Sequence, residues 1–245
     1  MLRRMIGPIV IGVFGCAVLI GLGTWQIQRL DWKEGVLAEM EARLHGPPAA
    51  LPSEPDPARD RFRAVSARGT ITGEGVFVMA SAAGQGAGYR LIAAFEAEAE
   101  TEAESAADGR APPRRILIDR GFIPAGLRDA PRPAVEGVTI TGNLHWPEDA
   151  NSSTPAPDAA ARLWFARDLD QIAKFLDTEP LLVVLRDSTE PAPPARFVPL
   201  DTAAVPNNHL NYAITWFSLA AVWAGMTGYL LWRIRQQSVR RNPAS

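Results

Sequence analysis

The sequence MIGPIVIGVFGCAVLIGLGT, residues 5–24, contains no charged side chain. A helix of this length spans about 30 Å, the thickness of the hydrocarbon core of a bilayer. A second uncharged run, LNYAITWFSLAAVWAGMTGYLLW, covers residues 210–232. Two such runs at opposite ends of one chain, each bounded by arginines and aromatic residues, predict two transmembrane helices, over residues 5–25 and 209–232.

Two other interpretations of these runs stay open. Either run can form a buried core helix, and the first can belong to a cleaved signal peptide because Arg3 and Arg4 precede it. However, the first run is longer than the apolar part of most signal peptides, and a helical pattern rather than a cleavage site follows at Trp25. We therefore expect an uncleaved anchor.

Charge is segregated along the 245 residues. No Asp or Glu precedes Asp31 or follows Asp201, and the tails carry only arginine charges. The positive-inside rule places the tails, residues 1–4 and 233–245, in the cytoplasm and residues 26–208 across the membrane. That compartment is the periplasm of a bacterium or the intermembrane space of a mitochondrion. Since no transit-peptide pattern precedes the first run, we expect a multi-pass protein of the bacterial inner membrane.

The segment between the two runs predicts an extracytoplasmic α+β domain with mainly antiparallel strands. Helical periodicity continues over residues 26–44 and ends at Gly46 and two prolines. A short helix is expected over residues 169–176, with Asp168 as its N-cap. Candidate strands with a period of two cover residues 62–71, 75–81, 89–97, 115–122, 138–144, 163–166, 181–186 and 197–200.

Short strands at this spacing, separated by glycine-containing turns, favour an antiparallel sheet or a small barrel. An acidic, low-complexity stretch near residues 96–113 and a Ser-, Pro- and Ala-rich stretch over residues 149–161 predict two loops. The excess of acidic residues in this segment argues against nucleic acid as a partner, because phosphate binding requires a basic surface.

Common catalytic motifs are absent from the sequence. It has no G-x-S-x-G, no glycine-rich phosphate loop, no H-E-x-x-H and no C-x-x-C. The single cysteine, Cys16, lies in the first apolar run. A tetrahedral zinc site would need His45, His145 and His209 together with a carboxylate. We therefore expect a protein that is not an enzyme and has no catalytic residue.

His209 lies where the chain enters the second apolar run, within PNNHLNY, residues 206–212. Polar side chains at the end of a membrane helix are costly unless they bond to headgroups, to the domain or to a ligand. An imidazole at this depth can ligate haem iron, with the macrocycle in the apolar region and its propionates in water. The residues alone favour the other interpretation, an interfacial histidine that bonds to headgroups, Arg29 or Gln26.

Four motifs in chain order resemble the Surfeit locus protein 1 family, the assembly factors of haem-copper cytochrome c oxidase. At the exit of the first span, LGTWQIQR is similar to the family's L-G-x-W-Q-x-x-R, and DRGFIP is similar to its N-R-G-W-[IV]-P strand. WFARD resembles W-[YF]-x-R-D, and NNHLNYAITW resembles N-N-H-L-x-Y-A-x-T-W at the second span. The sequence departs from the family at Asp119 and Phe122, where Asn and Trp are usual, and at Ala93 and Ala94, where many members have Thr-Pro.

The resemblance covers nearly the whole chain and implies an assembly factor that binds haem A and assists its insertion or stabilisation in oxidase subunit I. It implies His209 as an axial ligand of the haem iron, and Arg29 as a residue that faces a propionate. The cofactor-binding residues expected at this membrane depth are His209, Trp25, Gln26, Arg29, Asn207, Asn208, Tyr212 and Trp216. The residues from the first span can also be no more than an aromatic and basic interfacial belt.

The implied partners are oxidase subunit I, the lipid bilayer and a haem A synthase. The oligomeric state, the second axial ligand and the type of oxidase, cytochrome c or quinol, stay open. A second hypothesis is a membrane-tethered scaffold that binds oxidase subunits without haem, and a third is an enzyme on a membrane anchor. Small residues at intervals of four predict a contact between the spans through Ala220, Ala224, Gly228, Ala221, Gly225, Ala17 and Gly21.

Overall fold

The computed structural model describes residues 2–82, 84–98, 113–203 and 205–241, so the predicted acidic loop near 96–113 lies almost entirely outside the described residues. The chain forms two compact units, each described by itself: Met1–Glu39 with Thr202–Ser245, called the helix pair, and Met40–Asp201, called the domain. The elements in chain order are α1 (Leu2–His45), α2 (Pro57–Asp60), β1 (Ala64–Ala82), β2 (Gly86–Ala97), β3 (Arg114–Pro124), a 3-10 turn (Ala125–Leu127), β4 (Val135–His145), β5 (Leu163–Trp164), α3 (Leu169–Leu176), β6 (Leu182–Ser188) and α4 (His209–Arg241).

The two long helices match the two uncharged runs. Over Met5–His45 and His209–Gln237, α1 and α4 are long and apolar enough to cross a bilayer, by length and composition. Within the described residues these are the two helices with that property. The expected multi-pass arrangement is therefore corrected to a chain with two candidate spans, because no further helix of the described residues has the length and composition of a span.

Within the helix pair, α1 and α4 run antiparallel. Residue numbers fall along α4 as they rise along α1 at successive contacts: Gly12 with Thr227, Cys16 with Ala220, Gly23 with Phe217, and Gln26 with His209. The contacting residues of α1 are separated by three, four or seven positions, the spacing that keeps one face of a helix against its partner.

Glycines of α1 let larger side chains of α4 pack against its backbone. A Cβ atom at Gly12 would stand 2.2 Å from Thr227 Cγ2, and the indole N–H of Trp223 donates to the Gly12 carbonyl at 3.2 Å. The predicted contact between the two helices is confirmed at Ala220, which is buried. It is wrong at Gly21, Gly225 and Gly228, where a Cβ would meet no atom within 4 Å, because these glycines face away from the partner helix.

The domain is built on a ring of five strands. Pairing in the order β2–β3–β6–β4–β1 is closed by pairing of β1 with β2, and β5 adds to β1 outside the ring. The sheet is mainly antiparallel, as expected, through the pairs β1–β2, β1–β4, β2–β3 and β4–β6. It is nevertheless mixed, because β3–β6 and β1–β5 are parallel pairs. The paired strands in each case are separated by several other elements. A long connection can return a strand in the same direction, whereas a tight hairpin cannot.

Successive side chains along each strand point to opposite faces of the sheet, so the domain has one core inside the strand ring and one outside it. The inner core takes residues from all five ring strands: Val65, Ala67, Ile71, Ala93, Phe95, Ala97, Ile116, Ile118, Val138, Ile140, Leu144, Val183 and Leu185, together with Leu181. The outer core takes the intervening residues, such as Leu117 and Val184, and packs them against α3. The predicted N-cap of α3 is confirmed, because the Asp168 carboxylate accepts the Gln171 N–H at 3.1 Å.

Two strand predictions differ from the structure. The expected strands over 62–71 and 75–81 form one long strand, β1, with an irregular register between Ile71 and Gly75. The expected strand over 197–200 is not formed, and the neighbouring Arg196 makes an isolated bridge to Phe122. Prolines cluster around that segment, and proline cannot donate a backbone hydrogen bond to a neighbouring strand. The predicted loop over 149–161 consists of turns and coil.

Gly121 in β3 adopts a conformation that favours glycine. Its φ angle is +103°, and a Cβ atom would stand 2.0 Å from the carbonyl oxygen of Arg196. Because the obstacle is backbone, it cannot rotate away. The glycine of the DRGFIP motif therefore lets the segment around Arg196 lie directly against β3.

Candidate functional site

His209, the first residue of α4, is held by Gln26 of α1. The imidazole Nδ1 lies 2.8 Å from the Gln26 side-chain oxygen, and Gln26 is only 9% exposed. Since an amide oxygen accepts hydrogen bonds, Nδ1 is the donor here, and in the neutral imidazole Nε2 then keeps its lone pair. Histidine ligands of metals are oriented in this way, by a hydrogen bond from the nitrogen that does not bind the metal.

The segment before α4 is also attached to α1. The Lys33 ammonium donates to the Pro206 carbonyl, two helical turns beyond Gln26. The Tyr212 N–H donates to the Asn208 carbonyl at 3.2 Å, which closes the first turn of α4. The Asn207 side-chain oxygen is buried and accepts no hydrogen bond from the described residues. A buried acceptor in this state is costly, so Asn207 has an unused capacity to bind a donor.

Apolar and aromatic surface surrounds this polar group. Trp25 is 54% exposed and Tyr212 is 56% exposed, and Leu210 is exposed as well, whereas Trp216 is partly buried. The structure thus brings Gln26 to His209 and leaves the neighbouring rings uncovered. Trp25 directly precedes Gln26 along α1, and Tyr212 follows His209 by three residues along α4.

Arg29 has a partner that sequence reasoning missed. Its guanidinium lies 3.8 Å from the ring centroid of Trp32, in a cation–π contact. Trp32 follows Arg29 by three residues on one helix, and side chains at that spacing are neighbours. That spacing was the available signal, and it could have indicated the contact.

The other two histidines lie in the domain and have different surroundings. His45 is exposed beside Glu41, whereas His145 stacks on Phe62 with 5.8 Å between ring centroids. Burial lowers the pKa of His145 to about 4, and the positive charge of Arg167 adds to this effect. In the parts of the chain that the structure describes, no three His, Cys, Asp or Glu side chains come together as metal ligands.

The DRGFIP motif builds buried ion pairs in the domain. Asp119 accepts from Arg90 Nε at 2.6 Å and from the Gly121 N–H at 3.0 Å, while Arg120 pairs with Glu190 at 2.5 Å. Sequence reasoning missed Arg90 and Glu190, since they are distant along the chain and no local pattern connects them to β3. This motif, similar to a strand motif of the family, links β3 to β2 and to the segment that follows β6.

The sequence of this chain is similar to known proteins over most of its length. Residues 13–221 match the sequence profile of the SURF1 family. Surfeit locus protein 1 of Rattus norvegicus is 30% identical over 241 residues, which cover 93% of this chain and 74% of the rat protein. A SURF1-like protein of Monosiga brevicollis is 30% identical over 87% of this chain and 83% of its own length, and Surfeit locus protein 1 of Homo sapiens is 28% identical over 86% and 71%. The chain belongs to the SURF1 family.

Proposed function

We propose that this protein is a non-enzymatic assembly factor for a haem-copper terminal oxidase, which binds haem A and assists its insertion or stabilisation in oxidase subunit I. The observation that carries the proposal is the hydrogen bond between His209 Nδ1 and the Gln26 side-chain oxygen, 2.8 Å long. It leaves Nε2 free, and neutral imidazole is a common axial ligand of haem iron. The free Nε2 of His209 is therefore a suitable axial ligand for the iron of haem A.

Each side chain at the site has a separate task in this proposal. His209 binds the iron, and Gln26 fixes its ring and tautomer. The exposed rings of Trp25 and Tyr212 cover part of the apolar macrocycle. Haem supplies the Lewis-acidic iron, and the chain supplies the ligand, its orientation and an apolar surface.

The proposed topology follows from the antiparallel helix pair. If α1 and α4 both cross a bilayer, both tails lie on one side and the connecting domain on the other. Arginines in both tails, such as Arg3 and Arg233, favour the cytoplasm for the tails. We infer a bacterial inner membrane with the domain in the periplasm, and oxidase subunit I and a haem A synthase as partners within that membrane.

The absorption spectrum of the full chain tests this function. The chain is purified in mild detergent from cells that make haem A and assemble the oxidase. We expect a Soret band that disappears in His209→Ala and persists in His45→Ala, the matched control at an exposed histidine outside the site. A Soret band of equal intensity in both variants would contradict haem ligation by His209.

A scaffold without haem is the second candidate, and Arg29 favours it. Its guanidinium already stacks on Trp32, so a propionate would have to compete for it. An interfacial belt of this kind can position a membrane protein without any ligand. The same purification separates the two functions: a colourless wild-type protein that still carries oxidase subunit I supports the scaffold.

A further inference from the structure

A second polar site lies in the domain, at the end of the strand ring where β1 is irregular. A cavity of about 150 Å³ opens there, and three arginines contribute to its wall: Arg120 of β3, Arg132 before β4 and Arg162 before β5. The mouth of a small barrel is a common place for a ligand site, because loops there can present polar groups.

Arg120 continues the inward-facing series that begins with Ile116 and Ile118. Its side chain is only 3% exposed, and its terminal nitrogen pairs with Glu190 at 2.5 Å. Its Nε is buried and finds no acceptor among the described residues. A buried guanidinium N–H without an acceptor is costly, so this donor is available to a ligand in the cavity.

Arg132 has the same unused donor. Its two terminal nitrogens donate to the carbonyls of Ala130 and Leu127, at 2.9 and 2.6 Å, whereas its buried Nε has no acceptor in the described part of the chain. A Cβ atom at Gly73 would stand 2.9 Å from the Arg132 carbonyl oxygen. The loop that carries Arg132 is therefore seated directly on β1, which holds the guanidinium at the cavity.

Arg162 completes the group from the opposite loop. Its terminal nitrogen donates to the Gly75 carbonyl at 3.3 Å. Over the residues that the structure describes, neither Arg132 nor Arg162 has a carboxylate within ion-pair distance. Their guanidinium groups instead contact backbone carbonyls and the aromatic rings of Phe77 and Phe175.

Two acidic side chains lie near Arg132 and Arg162, and each is paired with a different arginine. Glu190 pairs with Arg120 through Oε1, while its buried Oε2 has no partner among the described residues. Glu74, which also lines the cavity, pairs with Arg115 at 2.8 Å. Burial and the charge of Arg120 both lower the pKa of Arg132, and only Asp129 raises it. An anion in the cavity would relieve this repulsion among like charges.

We propose that this cavity binds a small oxyanion, a phosphate or carboxylate group, between the guanidinium groups of Arg120, Arg132 and Arg162. Guanidinium N–H groups form paired, charge-assisted bonds with such groups. The cavity is smaller than the pockets of drug-sized ligands, which suits the anionic group alone rather than a large molecule. This site is independent of His209 and of haem.

Thermal unfolding of the full chain in detergent tests the proposal, with inorganic phosphate and acetate as separate probes at constant ionic strength. We expect one or both to raise the unfolding temperature with a saturable concentration dependence. The stronger probe identifies the class of oxyanion. Constant ionic strength is required because general screening of surface charge also changes stability.

Variants locate the effect. Arg162→Gln, at an exposed arginine, and Arg132→Gln should each weaken the apparent affinity about tenfold or more. Arg68→Gln is the matched control, since Arg68 is an exposed arginine paired with Glu98 away from the cavity. Arg162→Gln keeps the test valid if Arg132→Gln fails to fold. The proposal is overturned if neither anion gives a saturable shift, or if Arg162→Gln and Arg68→Gln respond alike.

Discussion

In both the helix pair and the domain, two chain segments approach each other closely at glycines, but the atoms that face those glycines differ. In the helix pair, Gly12 and Gly23 of α1 face side chains of α4, Thr227 and Phe217. In the domain, Gly121 faces the backbone at Arg196. A side chain can change rotamer to admit a new methyl group, whereas a backbone carbonyl in a packed sheet cannot. The domain should therefore tolerate such changes less well than the pair.

The largest effect is expected for Gly121→Ala. The new Cβ requires both an unfavourable φ near +103° and displacement of the Arg196 carbonyl, so we expect the domain to lose about 3 kcal/mol or more of unfolding free energy. Denaturant unfolding followed by tryptophan fluorescence measures this. Gly126→Ala is the control, because a Cβ there meets no atom within 4 Å, and it should change stability by less than about 0.5 kcal/mol. Equal losses in both variants would refute the close approach at Gly121.

A smaller effect is expected for Gly12→Leu in the helix pair. The added side chain must displace Thr227, at a cost of roughly 1–3 kcal/mol. Cys16 lies beside Ala220, so an Ala220→Cys background allows a short bifunctional thiol reagent to report the contact. Cross-linking should fall several-fold in Gly12→Leu and stay unchanged in Gly21→Leu, whose position faces open space. Unchanged cross-linking in both would show that the contact lies elsewhere.

The smallest effect concerns pH and His145 of the domain. Its pKa is about 4 when folded and about 6.5 when unfolded, so the unfolded chain takes up a proton first as the pH falls. This contribution to stability is complete above pH 6.5 and is lost as the pH falls toward 4. The difference between the two pKa values corresponds to about 3 kcal/mol at most, and screening by water at this partly exposed ring reduces the contribution to roughly 1–2 kcal/mol. His145→Phe keeps the ring beside Phe62 and should flatten the dependence of stability on pH between those values. A slope equal to that of the wild type would contradict the role of His145.

The helix pair was the more predictable unit. A helix repeats locally, so the absence of charge over residues 5–24 and 210–232 was enough to predict α1 and α4. The small-residue pattern failed at Gly225 and Gly228 because spacing alone does not say which face of a helix meets its partner. Glycines of α1 opposite large side chains of α4 formed the contact instead.

The domain was predictable in its strands but not in their pairing. Alternating side chains marked most strands, while the parallel pairs β3–β6 and β1–β5 depend on contacts between distant segments. The ion pair of Arg120 with Glu190 is of the same kind, since 70 residues separate the partners. At the candidate site, the sequence offered headgroups, Arg29 and Gln26 as possible partners of His209, and the structure selects Gln26 through a hydrogen bond.

The most direct test of haem binding is a spectral titration of the purified full chain with haem, followed in the Soret region. If His209 ligates the iron and Gln26 orients it, His209→Ala abolishes the ligand-specific band, and Gln26→Leu weakens binding about 10- to 100-fold. Wild-type affinity and spectrum in Gln26→Leu, together with a retained band in His209→Ala, would contradict the account.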